Sequence, residues 1–409
     1  LESRLPVQLN FSVVDSQSGN SVIGSLVPGC SKDIHSLDVR SNLMISMMIP
    51  GFTSSEHCPI RMEDTETLVP IRDNMDRPLF LRVRSLRGKD LSVRITIFCS
   101  FWIINRTGLN LFYSNDCKGL IAGQSSTGVK STAMTTSWIE TQQSAAKYLV
   151  LMGGKEEEPK LYLRRGDCSW SKACTLSTAL TYCSLDVPGL GDAIAEVVVG
   201  VEDVETDAYS SRVITLAPKL VLINHAKRGV EWIQGNSEGH SPMVLQPEEI
   251  FPVYWMGAVK EVRIRWQGAE SWSAPFPLDV IGRTALAFAD GSICHLMGAS
   301  KSSTIYTCIY NGDEFPMPYR LCNSTDRKIY AYPQVGEAIL MSPHSQYDFA
   351  WRDPYLEVEN RTLTISCGNK VVKKIDPDQI ARHHPSAHAQ FPEGTFLGVT
   401  VEVREGTRE

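Results

Sequence analysis

LVLINHAKRG, residues Leu220–Gly229, is an apolar run that stops on an asparagine and passes into a polar, basic turn. The same pattern stands in FWIINRTGL at Phe101–Leu109 and in YRLCNSTDRK at Tyr319–Lys328. The three marker asparagines, Asn105, Asn224 and Asn323, lie 119 and 99 residues apart. A weaker echo, LESRLPVQL, begins at Leu1 with Ser3 where an asparagine would be expected. Self-similarity of this kind marks a repeated structural unit. Further landmarks keep step with it. Pro247 and Trp255 follow Asn224, and Pro343 and Trp351 follow Asn323, each pair eight residues apart. Trp170-Ser171 precedes Asn224 by 54 residues, and Trp272-Ser273 precedes Asn323 by 51. Boundaries then fall just upstream of each asparagine run. They give a divergent module over 1–99 and further modules over 100–216, 217–317 and 318–409.

The units are all-β. Short β-branched and aromatic runs recur throughout, among them LSVRIT at Leu91–Thr96, VKEVRIRW at Val259–Trp266 and the run Thr304–Tyr310. Gly, Pro, Asn, Asp and Ser clusters punctuate them, and a helical period is almost absent, which predicts tandem β-sandwiches in an extended array. GGKEEEPK, Gly153–Lys160, reads as a solvated hairpin tip. The polar, Pro-rich tail 373–394 reads as a mobile loop, with a final strand over Thr395–Val403.

Forty basic against 46 acidic residues, a formal net charge of −6, give no electrostatic reason to expect nucleic acid or an anionic membrane surface as ligand. The longest apolar stretch, Ile95–Ile104, is about half of what crosses a bilayer. Eleven cysteines stand singly, with no CxxC pair, so zinc and thioredoxin-like chemistry fail on spacing. Cys99, Cys308, Cys322 and Cys367 sit in apolar runs and read as buried, reduced thiols of a cytosolic protein. Four sequons, at Asn10, Asn105, Asn323 and Asn360, support a competing reading: an extracellular receptor or adhesion array of fibronectin-like sandwiches.

No nucleophile elbow, Walker loop, zinc-protease or EF-hand pattern is present, so neither catalysis nor a cofactor is expected. His383, His384 and His388 cluster in a polar segment without a nearby thiolate or carboxylate, and no metal site is expected there. An asparagine at the end of a buried strand can pair with both N–H and C=O groups of the adjoining turn, which predicts a structural clamp at each marker. Trp170, Trp255, Trp272 and Trp351 read as core anchors.

With the repeat established, the chain resembles the adaptor-binding region of the vacuolar protein sorting 13 family. The likeness is carried by CSFWIINRTGL (Cys99–Leu109), ITLAPKLVLIN (Ile214–Asn224), SWSAPFPLDVIG (Ser271–Gly282), MPYRLCNST (Met317–Thr325) and SQYDFAWRDP (Ser345–Pro354). It implies asparagine-marked β-sandwich modules within a larger lipid-transfer protein, here the C-terminal modules of the region. It also implies a cytoplasmic protein, peripheral at organelle membranes and membrane contact sites and monomeric within the larger chain. The implied partners are Pro-x-Pro peptides of organelle-bound adaptors, docked by the last modules. Strand addition along a sheet edge near Asn323, with Tyr319, Leu321 and Tyr330 bordering the proline pockets, is the expected mode. Pro275-Phe-Pro277 and Pro316-Met-Pro318 are themselves Pro-x-Pro; strand-edge prolines explain them, with self-occlusion of the groove as the alternative.

Overall fold

The structure is a computed structural model. It describes the chain apart from residues 6, 73–77, 89–91, 115–133, 136–147, 152–159, 177–180, 207–208, 236–240, 357–360, 368–369, 376–385, 391–395 and 401–409. Among the described residues there is no helix; 33 strands form nine sheets. The sheets fall into four consecutive sets.

The first set comprises β1 (Glu2–Ser3), β2 (Leu9–Asp15), β3 (Ser21–Leu26), β4 (Leu43–Met48), β5 (Cys58–Pro59), β6 (Thr65–Arg72), β7 (Pro78–Arg87) and β8 (Val93–Phe98). They form two sheets, in the orders β3-β2-β4-β5 and β1-β8-β7-β6. The second set contains β9 (Phe101–Asn105), β10 (Leu111–Ser114), β11 (Met134–Thr135), β12 (Tyr148–Leu151) and β13 (Lys160–Arg165). It continues through β14 (Cys174–Thr175), β15 (Thr181–Pro188), β16 (Ile194–Thr206) and β17 (Tyr209–Pro218). Its sheets run β11-β10-β13-β14 and β12-β9-β17-β16-β15.

The third set is β18 (Leu220–Asn224), β19 (Val230–Gln234), β20 (Met243–Leu245), β21 (Ile250–Val253), β22 (Val262–Trp266), β23 (Gly282–Ala287), β24 (Ile293–Lys301) and β25 (Thr304–Asn311). It forms β20-β19-β22 and β21-β18-β25-β24-β23. The fourth is β26 (Tyr319–Asn323), β27 (Ile329–Pro333), β28 (Ile339–Met341), β29 (Ser345–Phe349), β30 (Leu363–Cys367), β31 (Lys370–Ile375), β32 (Ser386–Gln390) and β33 (Phe396–Thr400). Its sheets are β28-β27-β30-β31, β26-β29 and β32-β33.

The period-two patterning explains the sandwiches. In LNFSVVD of β2 and VRIRW of β22, alternate residues are buried, so one face meets the opposite sheet and the other meets solvent. LVLIN of β18 is buried almost throughout and lies between β21 and β25 in its sheet. The cores of the first and third sets draw on both sheets. Leu9, Phe11, Ile45 and Met47 pack with Leu81, Val83, Ile95 and Ile97 in the first set. Trp232, Ile264 and Trp266 pack with Leu222, Leu286, Leu296 and Ile309 in the third. The chain is therefore an all-β array of tandem sandwiches, and it divides into two compact units. One is Leu1–Lys219 with Ser302–Thr304; the other is Leu220–Lys301 with Ile305–Glu409.

Two sequence readings need correction. The tail 373–394 is not one loop. β31 runs to Ile375, and β32 pairs antiparallel with β33 in register Ser386↔Thr400 to Gln390↔Phe396. A backbone ladder asks for no apolar side chains, so a polar strand escapes a reading based on hydrophobic pattern. Of the four core tryptophans expected, Trp255 and Trp351 are buried, whereas Trp170 and Trp272 are only half-buried. Their rings lie under the guanidinium groups of Arg164 and Arg265, at 4.8 and 4.4 Å. The residues 153–159 of the expected hairpin tip, together with His383 and His384, lie outside the described residues.

Candidate functional site

Every repeat opens on the same local device. Asn224 donates through Nδ2 to the carbonyl oxygens of Arg228 and Leu245, both at 3.0 Å, while its Oδ1 accepts the Ala226 N–H at 3.0 Å. Asn323 donates to Arg327, Met341 and Ser342 carbonyls at 2.8, 3.1 and 2.9 Å and accepts the Thr325 N–H at 3.1 Å. Asn105 donates to Leu109 O at 2.9 Å and accepts from Thr107 N–H at 3.0 Å. Ser3 keeps the accepting half alone, taking the Leu5 N–H at 3.4 Å. All four are buried. The amide reaches two residues ahead with its oxygen and four ahead with its nitrogen, a span no serine covers.

The proline landmark has a conformational cause. Glu248 and His344, directly after Pro247 and Pro343, adopt positive φ of 62° and 56°. A proline followed by a left-handed residue is the signature of a tight turn, and Glu249 N–H closes it on Gln246 O at 3.1 Å. Each left-handed side chain reaches back to the turn after the marker asparagine: Glu248 to His225 at 3.2 Å, His344 to Asp326 at 2.8 Å.

One repeated device was missed in the sequence. Ser171 and Ser273 are the buried members of their Trp-Ser pairs. Each hydroxyl accepts a strand N–H, from Leu163 at 2.9 Å and Ile264 at 3.0 Å, and donates to the next carbonyl at 2.8 Å. Ser55 does the same with Met47 N–H at 2.9 Å and Glu56 O at 2.8 Å. Its neighbour is Ser54, not tryptophan, which hid the first copy.

The fourth set departs from this plan along β26. β9 lies between β12 and β17, and β18 lies between β21 and β25, with the second neighbour parallel in each case. Among the described residues β26 pairs with β29 alone. The consequence shows two residues before each marker: Ile103 is 1% and Leu222 0% exposed, whereas Leu321 is half-buried. Opposite Leu321, Tyr347 is 45% exposed. The outward face of β26 carries exposed Arg320, paired with Asp348 at 2.7 Å, and exposed Cys322, which parity turns away from the expected core position. That face borders a cavity of about 450 Å³ lined by Phe315, Pro316, Met317 and Arg320 among others.

Of the residues expected at the site, the structure brings Tyr319 and Leu321 together on the inward side of β26. Tyr319 packs on Phe349 and Trp351, both at 6.0 Å. Asn323 is 2% exposed, with its carboxamide engaged inside its own repeat. Tyr330 lies on the other sheet, across from Leu340 and stacked with Tyr332, because the turn after Asn323 carries the chain from one sheet to the other. Within the described residues no cluster of His, Cys, Asp and Glu could hold a metal ion, and no helix is long and apolar enough to cross a membrane.

Tandem sandwiches built on a repeated clamp, with β26 paired on one side among the described residues of the last, define a β-sandwich scaffold. The family described as vacuolar-sorting associated protein 13, adaptor binding domain, matches residues 1–358, and the chain belongs to it. Intermembrane lipid transfer protein VPS13D of Homo sapiens is 30% identical over 123 residues, which are 29% of this chain and 3% of that protein. The chain thus spans a small fraction of that relative's length.

Proposed function

We propose that this chain docks Pro-x-Pro peptides of organelle-bound adaptors, and so targets a bridge-like lipid-transfer protein to membrane contact sites. The peptide adds as a strand beside β26, where the second and third sets place their own parallel strand. The observation that carries this reading is that β26 pairs on one side alone among the described residues, with Leu321 half-buried and Tyr347 exposed. An extended peptide would pair its non-proline backbone groups with β26 and cover that apolar surface. Its prolines would rest in shallow pockets, one of them the cavity by Phe315 and Met317. Proline lowers the ordering cost, and micromolar affinity is the expectation for so small a contact. Tyr319 and Leu321 are proposed as contacts and Asn323 as the clamp that fixes the strand. Tyr330 borders the opposite sheet and has no place in this edge. The four sets are proposed to act as the modules bounded near residues 100, 217 and 318, within a larger cytoplasmic chain that is monomeric.

The rival occupant of the same edge is the chain's own β33, the last strand of its set as β8, β17 and β25 are of theirs. The extracellular reading is weakened by the asparagines themselves. Two of the four sequons are closed to a glycan, because Nδ2 of Asn105 and of Asn323 is already engaged in hydrogen bonds at a buried residue. Fluorescence titration with a labelled Pro-x-Pro peptide tests the proposal. N-methylation of the residue between the prolines removes a strand hydrogen bond and is expected to weaken binding at least tenfold. Equal binding of both peptides would leave proline pockets without strand addition.

A further inference from the structure

The second set holds a pair of cysteines that the docking edge does not use. Cys174 lies on β14, the outer strand of the sheet β11-β10-β13-β14, and Cys183 on β15, the outer strand of the sheet β12-β9-β17-β16-β15. These are the two layers of one sandwich, and the two strands bring their thiols together. The sulfurs stand 2.7 Å apart, although the residues are nine positions apart in sequence and on different sheets. Ordinary nonbonded contacts between heavy atoms of this size settle at about 3.5–4.0 Å, and a covalent S–S bond at about 2.05 Å. The backbone therefore already holds the thiols closer than packing alone would choose.

We infer that Cys174 and Cys183 are the two ends of an inter-sheet disulfide, closed by an oxidant of the peroxide or disulfide class. The two differ in a way that sets the order of events. Cys174 is buried, while Cys183 is half-buried and reachable. A hydrogen bond from the Cys174 thiol lowers the Cys183 pKa to about 7, and the same contact together with burial raises that of Cys174. The Cys183 thiolate is the nucleophile. With hydrogen peroxide it attacks one oxygen, the O–O bond breaks, and hydroxide leaves with a proton as water, giving a sulfenic acid on Cys183. Cys174 then attacks that sulfur; the S–S bond forms, the S–O bond breaks, and a second water departs. Two thiols and one peroxide become one disulfide and two waters, with two electrons passed to the oxidant. A dithiol reductant reverses the step by exchange. The bond would tie the outer strands β14 and β15 of the two layers and leave the fourth set untouched.

Mild treatment of the whole chain with hydrogen peroxide, followed by alkylation, non-reducing digestion and mass spectrometry, tests the inference. The expected product is one cross-linked peptide joining Cys174 to Cys183, two mass units lighter than its parts and lost on treatment with dithiothreitol. The oxidised chain should melt roughly 5 °C above the reduced one, a shift absent from Cys183→Ser. Recovery of Cys174 and Cys183 separately alkylated after other thiols have been oxidised would overturn it. So would cross-links from either residue to other cysteines. The mass readout uses the unaltered chain, so it stands even where the serine variant folds poorly.

Discussion

An asparagine amide carries two N–H donors and a carbonyl acceptor, and at Asn224, which is 0% exposed, all three engage backbone groups. Asn224→Ala should therefore cost roughly 1–3 kcal/mol by urea denaturation, and Asn224→Asp at least as much, since a carboxylate would face two carbonyl oxygens. Equal stability of the aspartate variant would remove the donor role. His295 on β24 makes a second prediction. It is 1% exposed, and burial lowers its pKa. The Gly312 backbone opposes this, Arg283 adds to the lowering, and the Phe315 backbone and Glu314 oppose it by less. A histidine whose folded pKa lies below its unfolded value binds fewer protons folded than unfolded, so stability is full above pH 6.5 and falls as pH drops through the folded pKa. Unfolding free energies from urea denaturation at pH 7.5 and 5.5 should differ more for the parent than for His295→Phe, by up to about 1.4 kcal/mol per pH unit. Equal divergence would place the pH dependence elsewhere. The asparagines could be read from sequence because an apolar run that ends on a buried amide has few structural uses. His295 could not, since only the fold shows that its strand is covered on both faces.

At the scale of strands and turns, the repeat was legible where chemistry was constrained and illegible where it was not. The Pro landmark could be found because a left-handed residue after proline fixes the turn around Glu248 and His344. The serine clamp could be found only through its tryptophan companions, and Ser55, beside Ser54, shows that the serine is the shared part. Ser273→Ala should leave the Ile264 N–H buried without a partner and cost about 1–3 kcal/mol, whereas Trp272→Ala, at a half-buried ring under Arg265, should cost less. Chemical denaturation of the two variants compares them directly, and a larger loss at Trp272 would reverse the assignment. The polar strand β32 lay beyond sequence pattern because pairing with β33 is a property of two backbones rather than of either side-chain set.

For the whole molecule, the sequence showed four asparagine-style starts but not that β26, among the described residues, is paired on one side alone. That difference depends on which strand lies beside β26, a long-range pairing that no local pattern encodes. It also separates the fourth set from the second and third, whose equivalent strands are flanked on both sides. Docking by strand addition, the mode proposed for this member of an adaptor-binding family, needs such an edge. Hydrogen–deuterium exchange of the chain with and without a Pro-x-Pro peptide tests this most directly. Strand addition predicts slowed exchange concentrated in residues 319–323 once peptide binds. Saturable binding with exchange there unchanged, or β26 amides already fully protected in the free chain, would contradict docking at this edge.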